Sequence, residues 1–201
     1  MVKRNFTRSA LPVPWCIPWA TGRFYSSPLG NGTGILATGK LWFRVTPIYV
    51  PNPAGVLATA IGIEVQTAGA AGALIRLGIY KEAAGLPTDL LLDAGTVAGD
   101  PGAVPVFQSI AISQYLHQGW YFLATATSLD VTVRAVNGSP HSLMLGGFSF
   151  VDNTPRTHYA AMADASVTPV FAVDGLPAVF PLITGQNALG SANVPRVMLG
   201  V

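Results

Sequence analysis

The chain has 201 residues, 10% of them charged and 50% hydrophobic, with a formal net charge of +2. Soluble domains carry about a quarter charged residues, so this chain has little charge to spread over a surface, while 22 glycines and 16 prolines break up its apolar stretches. These numbers exclude an intrinsically disordered chain and a basic nucleic-acid footprint, and they suffice for one large domain with its own core.

Residues 1–33 read as an extended N-terminal arm. The start, Met1-Val-Lys-Arg-Asn-Phe-Thr-Arg8, is basic and leads into Pro12, Pro14 and Pro18, not into the apolar core of a signal peptide. Cys16 is the only cysteine; no internal disulfide can form, which fits synthesis in a reducing cytoplasm. Residues 34–201 read as an all-β domain, an antiparallel β-sandwich of jelly-roll type, because apolar residues recur with period two. Phe43 and Val45 alternate with Trp42, Arg44 and Thr46, whose polar members mark the expected outward side. Ile61, Ile63 and Val65 alternate with Gly62, Glu64 and Gln66; Ile75, Leu77 and Ile79 with Arg76, Gly78 and Tyr80. Gly85 and Pro87 argue for a loop between residues 81 and 92. Further strands are expected at 106–112, 119–127, 131–136, 143–150, 179–183 and 196–201. Residues 152–195 form an irregular, loop-rich part, a length that implies a function or packing on a neighbour. Mean hydropathy is +0.46. Even so, Pro47, Pro51 and Pro53 interrupt one long uncharged span, and Pro101, Pro105 and His117 another. Neither supplies the ~20 apolar residues of a spanning helix, so no membrane insertion is expected.

Motifs for chemistry are weak. Gly34-Ile-Leu-Ala-Thr-Gly-Lys40 fits a phosphate loop up to its last position, where Leu41 replaces the hydroxyl that holds magnesium. A period-two strand follows in place of the helix whose amides bind phosphate. His117, His141 and His158 share no short ligand spacing with one another or with Cys16, which leaves no zinc pattern. There is no Gly-x-Ser-x-Gly elbow. A polysaccharide depolymerase would need two carboxylates, and Asp152, Asp164 and Asp174 in the irregular part are the candidates. No catalytic, cofactor-binding or metal-binding residue is expected. The candidate docking or glycan contacts are Trp15, Trp19, Arg23, Tyr25 and Trp42. Flat aromatics stack on the apolar faces of sugars, and Trp15 and Trp19 would equally anchor a Pro-rich arm on a neighbouring subunit. Trp120, at a strand start, is expected in the core.

Read in order, Ala60-Ile-Gly-Ile-Glu-Val-Gln-Thr-Ala-Gly69, Ile75-Arg-Leu-Gly-Ile-Tyr80, Gly85-Leu-Pro87, Leu91-Leu-Asp-Ala-Gly-Thr-Val97 and Gly119-Trp-Tyr-Phe-Leu123 form a series. It resembles the β-sandwich domain of bacteriophage tail-fibre and minor tail proteins, especially of phages infecting actinobacteria. The resemblance covers residues 40–140, and the ending Pro195-Arg-Val-Met-Leu199 is similar to how such chains close. It implies a virion structural protein made in the host cytoplasm, a homotrimer at the tail tip, a fibre or the capsid exterior, with no catalytic residues and no cofactor. The implied partners are further copies of the chain, other virion proteins held through the arm, and host cell-surface polysaccharide. A capsid decoration or tail-tip scaffold without a receptor role is the alternative. Long fibres have coiled-coil heptads or repeats; this chain has neither, which favours a compact knob, baseplate part or spike. Independently of the resemblance, a charge-poor surface is costly to leave free and is buried efficiently by closed symmetric assembly.

Overall fold

The computed structural model describes residues 18–27, 30–38, 43–84, 86–138, 171–181 and 194–201. Trp15, Cys16, Trp42, His141, His158, Asp152, Asp164 and the strand expected at 143–150 lie outside the described residues.

Two antiparallel sheets pack face to face as a sandwich, as the period-two alternation predicts. The strands of the larger sheet are β1 (Phe24–Ser26), β2 (Gly30–Thr38), β4 (Val56–Thr67), β7 (Val106–Leu116), β9 (Val131–Gly138), β10 (Val194–Pro195) and β11 (Met198–Gly200). The smaller sheet runs β3–β8–β5–β6, with β3 at Phe43–Val50, β5 at Leu74–Ala83, β6 at Leu86–Ala98 and β8 at Gly119–Thr127. Residues 24–33, grouped with the arm by composition, are largely strand: β1 pairs with β11 and β2 with β9. The loop expected between 81 and 92 is instead a tight hairpin, in which Ala83 faces Leu86 and Ala84 takes a positive φ of 52°. Of the strand expected at 179–183, the described residues 179–181 hold one bridge, between Val179 and Asp89; residues 182 and 183 lie outside the described residues.

β4 organises the larger sheet. One of its edges pairs with β7 throughout; the other pairs first with β11 and then with β9. The chain from Val194 onward runs in the fork between β4 and β9, laying β10 on β9 and β11 on β4. Arg196 sits at the fork, its backbone N–H donating to the Arg134 carbonyl at 2.8 Å. The register of β4 against β7 shifts between Ala58 and Ala60. That shift moves the inward set from Val56 and Ala58 to Ile61, Ile63 and Val65, all of them buried. These residues meet Ile75, Leu77, Ile79 and Leu123 of the smaller sheet in the main core.

The smaller sheet is buried on both faces, which strand alternation alone does not reveal. Residues 171–181, with the short helix α1 (Phe171–Asp174), cross its outer face. There Ala172, Leu176 and Phe180 close a second core over Phe43, Val45, Tyr80 and Phe122. The described part of the irregular region therefore packs on its own chain. Leu176 fills the notch left by Gly78, where a Cβ would lie 2.2 Å from the leucine Cδ1. The strap is also held by charge-assisted bonds. The Arg76 guanidinium donates to both Asp93 carboxylate oxygens (3.0 and 2.9 Å) and to the carbonyls of Ala172 and Val173. Asp93 in turn accepts from the Leu176 N–H at 3.1 Å, and the Tyr80 hydroxyl donates to the Pro177 carbonyl at 2.7 Å. Burial, with a smaller contribution from Asp93, raises the pKa of that hydroxyl.

This covering reverses the expected orientation of β3. Phe43 and Val45 face the strap, while Thr46 turns to the larger sheet, its hydroxyl donating to the Pro195 carbonyl at 3.2 Å. Arg44 shares that inward side and is 7% exposed. Desolvation lowers its pKa to about 10, which keeps the guanidinium charged at neutral pH. Trp120 also departs from expectation. It is half-buried on the outer face of the smaller sheet, 5.1 Å from the ring of Tyr49.

Candidate functional site

The outer face of the larger sheet has no such cover among the described residues. Because Ile61, Ile63 and Val65 point inward, Gly62 and Glu64 point out, and so does Phe107, which is paired with Glu64. The ring of Phe107 lies over Gly62, where a Cβ would come within 2.5 Å of it. Phe24 lies over Gly200 in the same way, at 3.0 Å. The two glycines provide a flat floor on which the rings meet edge to face, centroids 5.0 Å apart. Phe24 remains 45% exposed and Phe107 37%. Further down the same face, Leu57 and Tyr115 form a cross-strand pair, 49% and 47% exposed. The Tyr115 hydroxyl donates to the Ala54 carbonyl.

Charge on this face is confined to one cluster. Among the described residues, its strands and the link between β10 and β11 carry Glu64, Arg134 and Arg196 as their charged side chains. The Glu64 carboxylate accepts from Arg134 at 3.2 Å, Arg196 at 2.7 Å and Gln66 at 2.6 Å. The hydrogen bond from Arg134 and the charges of both arginines hold its pKa below the usual carboxylate value, against the opposing effect of burial. The cluster ties β4, β9 and the β10–β11 link together, and an ionised carboxyl so held is a poor proton donor at neutral pH.

At the lower corner of the face, beside Leu57, a cleft of about 340 Å³ is lined by Trp19, Thr21, Asn52, Leu57, Thr59 and Val201 among others. No acidic or basic side chain lines it. It lies where residues 18–23 lead into β1. The Trp19 N–H donates to Asn52 Oδ1 at 2.8 Å, and Asn52 Nδ2 donates to the Trp19 carbonyl at 3.1 Å. The indole stacks on Tyr25 with centroids 4.6 Å apart and planes at 6°. Tyr25 is partnered with the buried Leu199 and packs on the main core, while its hydroxyl accepts from the Ala20 N–H at 2.7 Å.

Of the five residues expected to make docking or glycan contacts, the structure brings Trp19 and Tyr25 together, and they anchor the segment before β1 on the sandwich. Arg23 is exposed, with its carbonyl accepting from the Val201 N–H at 3.1 Å. Trp15 and Trp42 lie outside the described residues. Sequence reasoning missed Phe24, Leu57, Phe107 and Tyr115. The available signal was the glycine at position 62 in the middle of an apolar strand, which marks close approach of another group.

Among the described residues, no three His, Cys, Asp or Glu side chains gather as metal ligands, and no helix is long and apolar enough to cross a membrane. No family model, no curated protein and no solved structure matches the chain.

Proposed function

We propose that the chain is a structural subunit of a bacteriophage virion, of the tail-fibre, minor-tail or spike kind, that assembles as a homotrimer and contributes to attachment at the host surface glycan. The observation that carries this reading is the outer face of the larger sheet, which none of the described residues covers. Phe24, Leu57, Phe107 and Tyr115 stand exposed on a face whose charged side chains, among the described residues, are gathered in the Glu64 cluster. A sheet face of this kind resembles half of an obligate interface more than a solvated surface. Closed symmetric oligomers are the usual way to bury it. For the glycan, the half-buried Tyr49–Trp120 pair on the opposite side of the sandwich offers flat rings on which a sugar can stack.

Light scattering at micromolar concentration tests the assembly: the reading requires three times the chain mass, and a clean monomer overturns it. Incubation with host cell-wall polysaccharide tests the second half. Retention without cleavage supports attachment, release of reducing ends points to a depolymerase, and neither leaves a scaffold without a receptor role.

A further inference from the structure

We infer that residues 11–17 of one copy dock into the cleft beside Trp19, and onto the adjoining Leu57–Tyr115 corner, of the next copy. The inference rests on the homotrimer proposed above and names the contact that would build it. A cyclic trimer needs a heterologous interface, two different patches on each subunit that complement each other, because a self-complementary patch closes only dimers. The chain supplies two such patches. One is the uncharged cleft with its apolar corner. The other is the run Leu11, Pro12, Val13, Pro14, Trp15, Cys16 and Ile17, which carries no charge and is followed by Pro18 and then by Trp19 of the cleft.

The physics of the run suits the groove. Prolines at 12, 14 and 18 favour a polyproline II conformation, already low in entropy, and such segments dock in aromatic-lined grooves. Trp19 and Tyr115 are the aromatic side chains of this corner. Direction decides between the chain's own cleft and a neighbour's. A proline ring fixes its own φ and disfavours a helical turn in the residue before it, and the Trp19 N–H and carbonyl are both held by Asn52. To fill its own cleft, which begins one residue away, the run would have to reverse direction at Pro18; a neighbour's cleft requires no such reversal. Seven residues of polyproline II span about 20 Å, enough to cross to an adjacent subunit.

Cys16, the only cysteine, supplies the probe. The full chain carrying Leu57→Cys, and separately Thr59→Cys, is oxidised and run on a non-reducing gel beside the same variants with Cys16→Ser. Both positions are exposed strand sites. The expected result is a ladder of cross-linked dimers and trimers that disappears with Cys16→Ser, with the unoxidised variants trimeric by light scattering. A trimer whose Cys16 disulfide stays within one chain places the arm on its own cleft and overturns the inference. So does a trimer in which neither variant cross-links through Cys16; the assembly reading survives both results. Monomers by light scattering overturn that reading and the inference together.

Discussion

Gly78 and Leu176 act as a lock and its keyway. Adding a Cβ at position 78 would drive it to 2.2 Å from Leu176 Cδ1 and 2.7 Å from the Leu92 carbonyl oxygen. The leucine can swing away, but the β6 backbone cannot, so Gly78→Ala should cost about 1–3 kcal/mol by overpacking. Leu176→Ala should cost about 2–5 kcal/mol by leaving a cavity. The double variant should be more stable than the sum of the two losses predicts, and urea denaturation of all three checks this coupling. Glu64 makes a different prediction. Its folded pKa is depressed, so its contribution is complete above the unfolded value of about 4.3 and is lost as pH falls through the folded value. Glu64→Gln should therefore cost about 1 kcal/mol at pH 7. Its stability should change less than the wild type's between neutral pH and the region below pH 4, measured by denaturation at each pH.

The strap at 171–181 is an element whose attachment has two components, an apolar plug and an ionic clasp. Arg76→Leu removes the clasp, leaving the carbonyls of Ala172 and Val173 and the Asp93 carboxylate without their shared cation. With charged hydrogen bonds worth about 1.5–3 kcal/mol, the strap should open well before the sandwich. Hydrogen exchange should rise across 171–181 while β4 and β9 stay protected; a uniform rise would contradict a separable strap. The strap also explains which parts of the fold were legible in the sequence. β4, β5 and β9 follow from period-two alternation because each has its polar residues on an outward side. β3 misleads: Arg44 and Thr46 are its polar residues, yet both are buried, because the strap claims Phe43 and Val45 from the other face. No local pattern links Leu176 to Gly78, or Arg76 to Ala172, since these pairs exist only once the chain has returned over the sheet. At the candidate site the aromatic anchors were legible as residue types. The exposed quartet on β1, β4 and β7 was not, because alternation reports which side a residue occupies and not whether that side is covered.

For the molecule as a whole, the scarcity of charge is compounded by where the charges go. Arg44 lies between the sheets, Arg76 is held by Asp93 and the strap, and Arg134 and Arg196 share Glu64. Four of eleven Lys and Arg side chains are thus committed inside the fold or to ion pairs, which leaves still less charge for the solvent boundary. Phe107→Ser should reveal what replaces it. The ring is 37% exposed, so the fold should survive with an unchanged circular dichroism spectrum, while the scattering mass falls from three chains to one. An unchanged mass would mean that this face is not the contact. The seating of β1 on β11 gives the arm a mechanical meaning. Tension applied at Trp19 is shared with Asn52 and passes along β1 into β11 and from there into β4. Where the pull runs along the strands, the inter-strand hydrogen bonds lie across it, so they yield together under shear instead of peeling one at a time. Such a joint resists far more force than its few residues suggest, and an arm joined this way can serve as a tether.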